Sequence, residues 1–154
     1  MPPVTGLNHV SITVADAGEA LRFWQGLLGL EVGASGEMRH PHLDEIVGFH
    51  PTRVRFAELA IPGGGMLELF EYVQPRGVAQ RDRTCDPGSM HLCVEVEGLD
   101  ALVEALREAG YSSRSARPAT VPDEDRFGDW AGYRSIYVLG PDGVTVELVE
   151  PPAR

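Results

Sequence analysis

Two stretches of this chain follow one pattern, and that repetition constrains the fold more than any other feature. LNHVSITV, residues 7–14, sets Val10, Ile12 and Val14 on one side and His9, Ser11 and Thr13 on the other. MHLCVEV, residues 90–96, sets Leu92, Val94 and Val96 against His91, Cys93 and Glu95. Period-two alternation marks a strand with one face in a core. A histidine at the head of the polar side is, alone, most simply a solvated residue. Two in matching positions raise the question of whether the rest of the chain repeats.

It does. After the first strand, Asp16 is an N-cap candidate, and Ala20, Leu21, Trp24, Leu27 and Leu28 recur at helical spacing before Gly29. After the second, Leu99, Leu102, Val103 and Leu106 form the same stripe before Gly110. Strands are then expected at about Glu31–Val32, Arg53–Ile61 and Met66–Val73, with a hairpin turn at Pro62-Gly63-Gly64-Gly65. In the second half they are expected at Tyr111–Arg114, Ser135–Leu139 and Val144–Glu150, with a turn at Pro141-Asp142-Gly143. Both halves read β-α-β-β-β. The expectation is one α+β domain over residues 1–154. Module 1 covers about 6–74, a polar linker about 75–88, including Arg81-Asp82-Arg83, and module 2 about 89–151.

The last strand of each half carries the chemistry. In MLELFEY, Glu68 shares a face with Met66 and Phe70; in VTVELVE, Glu147 shares a face with Thr145 and Val149. An ionised carboxylate among strand residues is costly unless exposed, paired or bound to a cation. Fifty-nine positions separate His9 from Glu68, and fifty-six separate His91 from Glu147. Each half thus supplies one imidazole and one carboxylate at nearly equal separation. Two of each suit a borderline divalent ion: Zn²⁺, Ni²⁺, Co²⁺, Fe²⁺ or Mn²⁺. The rival reading of the same residues is a salt-bridged polar cluster. Cys93, displaced along the His91 face, reads as pocket lining, as does Phe70 beside Glu68. His40 and His42 lie outside the repeat and read as solvated.

The formal net charge is −10, from 23 acidic against 13 basic residues, scattered along the chain. So acidic a chain is a poor partner for phosphate backbones and anionic lipid, so neither nucleic acid nor membrane is expected. Two cysteines, Cys85 and Cys93, make no disulfide framework, and the start MPPVTGLNH has no signal-peptide character. A reduced, cytoplasmic protein is the expectation.

The residues Leu7-Asn8-His9-Val10, Phe23 to Val32, Met66-Leu67-Glu68-Leu69, Met90 to Val96 and Gly140 to Leu148 carry a family resemblance running from about Gly6 to Pro151. The chain resembles the vicinal oxygen chelate superfamily, which includes glyoxalase I, methylmalonyl-CoA epimerase, extradiol dioxygenases and antibiotic-resistance proteins. That resemblance implies two βαβββ modules curled into a cup-shaped, barrel-like mixed sheet, with one divalent metal held by His9, Glu68, His91 and Glu147. It implies a small-molecule substrate and a homodimer. The four-ligand set points to a lyase or isomerase working through a metal-stabilised enolate, with Glu68 or Glu147 carrying the proton. The alternatives are an Fe(II) dioxygenase of the same superfamily or a non-catalytic drug-binding protein. Residues 38–55, apolar at Leu43, Ile46, Val47 and Phe49, read as a helical flap. Residues 123–134 read as a lid, with Trp130, Tyr133 and Arg134 as substrate-binding candidates.

Overall fold

A computed structural model of the chain describes residues 3–79 and 83–153, so Arg81 and Asp82 of the expected linker lie outside the described residues. The chain divides into two compact units, Met1–Ala79 and Gln80–Arg154.

The first unit runs β1 (Val10–Thr13), α1 (Ala17–Leu21), β2 (Glu31–Met38), α2 (Pro41–Val47), β3 (Arg53–Ala60) and β4 (Met66–Gln74). Its sheet has the order β1-β4-β3-β2, with β1 parallel to β4 and the other pairs antiparallel. Leu67, Leu69 and Glu71 are buried on the face that packs against α1, while Met66, Glu68 and Phe70 are part-exposed on the other. The parity expected for Glu68 therefore holds.

Asp16 caps α1 by accepting from the Glu19 N–H at 2.9 Å. The helix then widens into π-type turns over Arg22–Leu27. There the consecutive rings of Phe23 and Trp24, both fully buried, meet edge-on at 5.0 Å. A wider turn carries two adjacent large side chains into one core, which a regular helix with its 3.6-residue period does less well.

The expected short strand at Glu31–Val32 is longer, running to Met38 with a break in register between Val32 and Ser35. Its sequence, EVGASGEM, lacks the alternation that betrays a strand, as suits an outer strand with little to bury. The flap segment does contain a helix. His40 caps α2 by accepting from the His42 N–H at 3.1 Å, Pro41 opens it, and Gly48 closes it at φ +74°. The H-x-H pair is thus a capping arrangement.

The second unit runs β5 (His91–Glu95), α3 (Leu99–Glu108), β6 (Ala119–Thr120), β7 (Arg134–Leu139) and β8 (Thr145–Glu150). Its order, β5-β8-β7-β6, repeats the first sheet with β5 parallel to β8. Leu99, Val103 and Leu106 of α3 are buried, as are Val146 and Leu148 of β8. Each such side chain contributes roughly 1.5–3 kcal/mol by leaving water.

The strand expected at Tyr111–Arg114 is reduced to a single bridge, Ser113 to Val138, and the outer strand forms later, at β6. Ser113 and Ser115 donate their hydroxyls to the carbonyls of Ser115 and Arg117, local bonds that compete with a sheet ladder. Each module forms its own four-stranded sheet, open at both edges. Among the described residues, no helix is long and apolar enough to cross a membrane.

A second repeat joins each helix to its sheet. Glu71 accepts from the Ala17 N–H at the start of α1 (3.2 Å) and from Arg55 of β3 (3.1 Å). Glu150 accepts from the Leu99 N–H at the start of α3 (3.0 Å) and from Arg134 of β7 (3.0 Å). In both modules a carboxylate of the last strand accepts from the first N–H of the helix, at its positive dipole end.

Candidate metal and substrate site

In the first module, the His9 Nε2 lies 3.9 Å from Glu68 Oε2. The histidine sits just ahead of β1, whose parallel register sets Ser11 beside Glu68. Asn8 Oδ1 lies 2.7 Å from His9 Nδ1 and accepts from it in the Nδ1–H tautomer, the one that leaves the Nε2 lone pair for a ligand. Glu58, directly across the β3–β4 ladder from Glu68, adds a second carboxylate at that rung. Phe70 occupies the next outward-facing position, opposite Phe56 and edge-on to Tyr72 at 5.7 Å. Burial, and then the Glu68 charge, hold the Tyr72 phenol above its ordinary pKa.

In the second module, His91 Nε2 lies 3.2 Å from Glu147 Oε2. Register sets Cys93 on one side of Glu147 and Tyr137 on the other. The Tyr137 hydroxyl is 3.5 Å from His91 Nε2, and its ring lies 5.0 Å from the imidazole at a 36° tilt. The Cys93 thiol bonds Glu147; burial and that carboxylate push its pKa up to about 11. In the metal-free protein it is therefore a neutral S–H that donates to Glu147 near pH 7. Burial, then Glu147 and Cys93, likewise raise the Tyr137 phenol.

Both pairs fit half of a metal site. Two ligands at roughly 2.0–2.2 Å from one ion lie about 3–4 Å from each other, the separation of the imidazole and carboxylate in each module. All four side chains keep partial solvent access, with His9 and His91 more than 40% exposed. Among the described residues, no three His, Cys, Asp or Glu side chains group around a point; each module presents a pair.

The second module also holds a cavity of about 400 Å³ lined by Val121, Pro122, Arg126, Phe127, Trp130, Tyr133, Ser135, Glu147 and Val149. The loop expected to act as a lid runs along this cavity. Residues 125–130 form a 3₁₀ turn that Gly128 breaks at φ 51°, ψ −128°, a conformation reserved for glycine. The loop is pinned at its base, where the Val121 N–H meets the Tyr133 carbonyl at 2.7 Å and the Gly132 N–H meets the Val121 carbonyl at 3.0 Å.

Trp130 and Tyr133 thus line a cavity with Glu147. Arg134 does not. It lies on the opposite face of β7, held by Asp100 at 2.7 and 2.8 Å and by Glu150 at 3.0 Å. Its counterpart is Arg55, which identifies it as part of the helix-anchoring repeat. The guanidinium that lines the cavity is Arg126.

Sequence reasoning passed over Asn8, Glu58, Tyr137, Arg126 and Phe127. The signal for two of them was present: one step of parity along β3 and β7 puts Glu58 and Tyr137 on the faces of Glu68 and Glu147.

Comparison with known proteins agrees with this architecture. A 2-epi-5-epi-valiolone epimerase from Actinomyces sp is 31% identical over 159 residues, covering 99% of this chain and 83% of that protein. A crystal structure of a glyoxalase family protein from Bacillus cereus superposes with a TM-score of 0.84 at 21% identity, covering 99% of this chain and 97% of that one. A glyoxylase/bleomycin resistance protein/dioxygenase domain from Frankia sp. EAN1pec superposes with a TM-score of 0.66 at 23% identity, covering 97% and 93%. The family model described as Glyoxalase/Bleomycin resistance protein/Dioxygenase superfamily matches residues 6–148, a span that takes in most of both modules. By its doubled fold and this near-complete match, the chain belongs to that superfamily.

Proposed function

We propose that the chain is a divalent-metal-dependent isomerase or lyase, epimerase-like, that moves a proton at the carbon next to a carbonyl of a small substrate. The observation that carries this reading is the repeated His/Glu pair, 3.9 Å in one module and 3.2 Å in the other. The epimerase relative supports the reaction class. On this reading His9, Glu68, His91 and Glu147 hold one ion: Zn²⁺, Ni²⁺, Co²⁺, Fe²⁺ or Mn²⁺. When bound, such an ion acts as a Lewis acid towards the carbonyl and offsets the negative charge of the enolate.

The chain's own groups do the rest. Glu68 or Glu147 takes the acidic C–H proton and returns it. Cys93 and Tyr137 flank Glu147 and orient it. Phe70 and the aromatic wall at Trp130 and Tyr133 contact the substrate body and exclude water. The reading includes a homodimer in the cytoplasm. Sedimentation velocity tests the dimer, and a monomer at micromolar concentration opposes it.

The reaction is tested by solvent exchange. α-Hydroxy ketones and 2-oxo thioesters incubated in D₂O with the metal-loaded protein are expected to gain deuterium at the acidic carbon. Glu68→Gln is expected to spare metal binding more than exchange, because the amide ligates but takes no proton. Oxygen uptake with a catechol by the Fe²⁺ form, without exchange, would replace this reading with a dioxygenase.

A further inference from the structure

The two β-hairpins repeat residue for residue. Seventy-nine positions separate Arg55 from Arg134, Glu68 from Glu147 and Glu71 from Glu150. The same offset carries Glu58 onto Tyr137, and each of these two stands directly across the ladder from its module's site carboxylate. The helix anchors and the candidate ligands are kept between the modules. The neighbour of the ligand changes, from a carboxylate to a phenol.

That change decides what the histidine nitrogen meets. In the second module the Tyr137 hydroxyl comes to 3.5 Å from His91 Nε2, the outer limit of a hydrogen bond, and its ring leans on the imidazole at 5.0 Å. Glu147 Oε2 lies 3.2 Å from the same nitrogen. Nε2 therefore has a partner in either neutral tautomer. With the proton on Nδ1, its lone pair accepts from the phenol; with the proton on Nε2, it donates to Glu147. In the first module His9 Nε2 is 3.9 Å from Glu68, beyond hydrogen-bond distance. A carboxylate in the place of Glu58 attracts a cation and, when ionised, has no proton to give a lone pair.

We infer that Tyr137 is a latch on the second module's half of the site: its hydroxyl holds the His91 Nε2 lone pair in the metal-free protein and releases it when a divalent ion takes that lone pair. The first module has no such latch, so its half stands open to the ion. The inference rests on the proposed function for the assignment of His91 as a ligand. A latch and an orienting residue act in opposite senses. Each ion bound at His91 breaks the latch's hydrogen bond, so the phenol lowers affinity, whereas an orienting partner of a ligand raises it. The sign of one deletion separates the two.

Tyr137→Phe keeps the ring against the imidazole and removes only the hydroxyl. It is expected to bind Zn²⁺ roughly three- to tenfold more tightly than the wild type in competition with a chromogenic chelator, the effect of one competing hydrogen bond lost. Tyr72→Phe, the same deletion beside Phe70 in the first module, is expected to leave the affinity unchanged. In the wild type, Zn²⁺ is expected to change the near-ultraviolet absorbance of tyrosine as the phenol loses its acceptor, and Tyr137→Phe to abolish that change. The absorbance is read first on the unaltered chain, so the test does not hang on how well the variant folds. Equal or weaker Zn²⁺ binding by Tyr137→Phe, or no tyrosine signal when the wild type binds Zn²⁺, overturns the latch. The ligand assignment survives that result if His91→Ala still weakens binding. If His91→Ala binds as tightly as the wild type, or the wild type binds no Zn²⁺, the assignment falls and the latch falls with it.

Discussion

Glu58 and Glu68 stand directly opposite each other across the antiparallel β3–β4 ladder, on the face that also presents His9. Like charges in that position repel, typically by about 0.2–1 kcal/mol. Removing one charge is therefore expected to stabilise the metal-free protein. Glu58→Gln should raise the melting temperature in chelator by roughly 1–3 °C. A divalent ion on Glu68 offsets the repulsion, so the gain should shrink when Zn²⁺ is added. Melts followed by circular dichroism in both conditions decide the point. An equal gain in each counts against Glu68 as a ligand.

Glu71 is expected to be the costliest carboxylate in the first module to lose. Its side chain is buried, and it is the acceptor for the buried Ala17 N–H as well as for Arg55. Glu71→Ala orphans that N–H at the start of α1 and should cost about 2–3 kcal/mol in urea unfolding. Glu71→Gln keeps an acceptor and should cost less than half of that. The matching change at Glu150, whose side chain is 22% exposed, should be milder than Glu71→Ala because water reaches the vacated site.

Much of this was legible in the residues. Strand parity put Glu68 and Glu147 on the faces they occupy, and the His/Glu spacing found both pairs, because a period of two survives in any half-buried strand. Arg134 misled for a physical reason. An arginine beside a glycine-rich aromatic loop looks like a substrate clamp, and only the ladder shows that parity turns it towards α3. The repeat held the correction, since Arg55 and Glu71 are spaced like Arg134 and Glu150. β2 was under-read because its two glycines, its alanine and its serine carry no alternation. Asn8, though adjacent to His9, has a role set by side-chain geometry that no spacing encodes.

Arg134 also makes stability depend on pH in a definite direction. Its hydrogen bond to Asp100, against some opposing desolvation, holds that carboxyl below its ordinary value of 3.8. A depressed carboxyl contributes stability above its unfolded pKa and loses it as the pH falls through the folded value. Asp100→Asn should therefore melt below the wild type near neutral pH, and the two curves should converge as the pH drops below about 4. A difference that persists unchanged into acid would mean that the bond acts by geometry and not by charge.

The final prediction concerns the hydrogen bond that orients His9. Asn8 Oδ1 lies 2.7 Å from His9 Nδ1 and accepts from it in the Nδ1–H tautomer, which turns the Nε2 lone pair to the side of Glu68. Without that acceptor the imidazole can rotate and exchange tautomers, and part of the population presents an N–H where a ligand lone pair is needed. Losing such an outer partner typically weakens metal binding by about 10–100-fold. Asn8→Ala is expected to weaken Zn²⁺ affinity by about tenfold, measured by competition with a chromogenic chelator. Asn8→Asp, which keeps an acceptor and adds negative charge, should bind at least as tightly as the wild type. His9→Ala should be weaker than Asn8→Ala, because it removes the ligand and not only its orientation. If Asn8→Ala leaves the affinity unchanged while His9→Ala lowers it, the ring needs no help from Asn8. If neither lowers it, His9 is not a ligand.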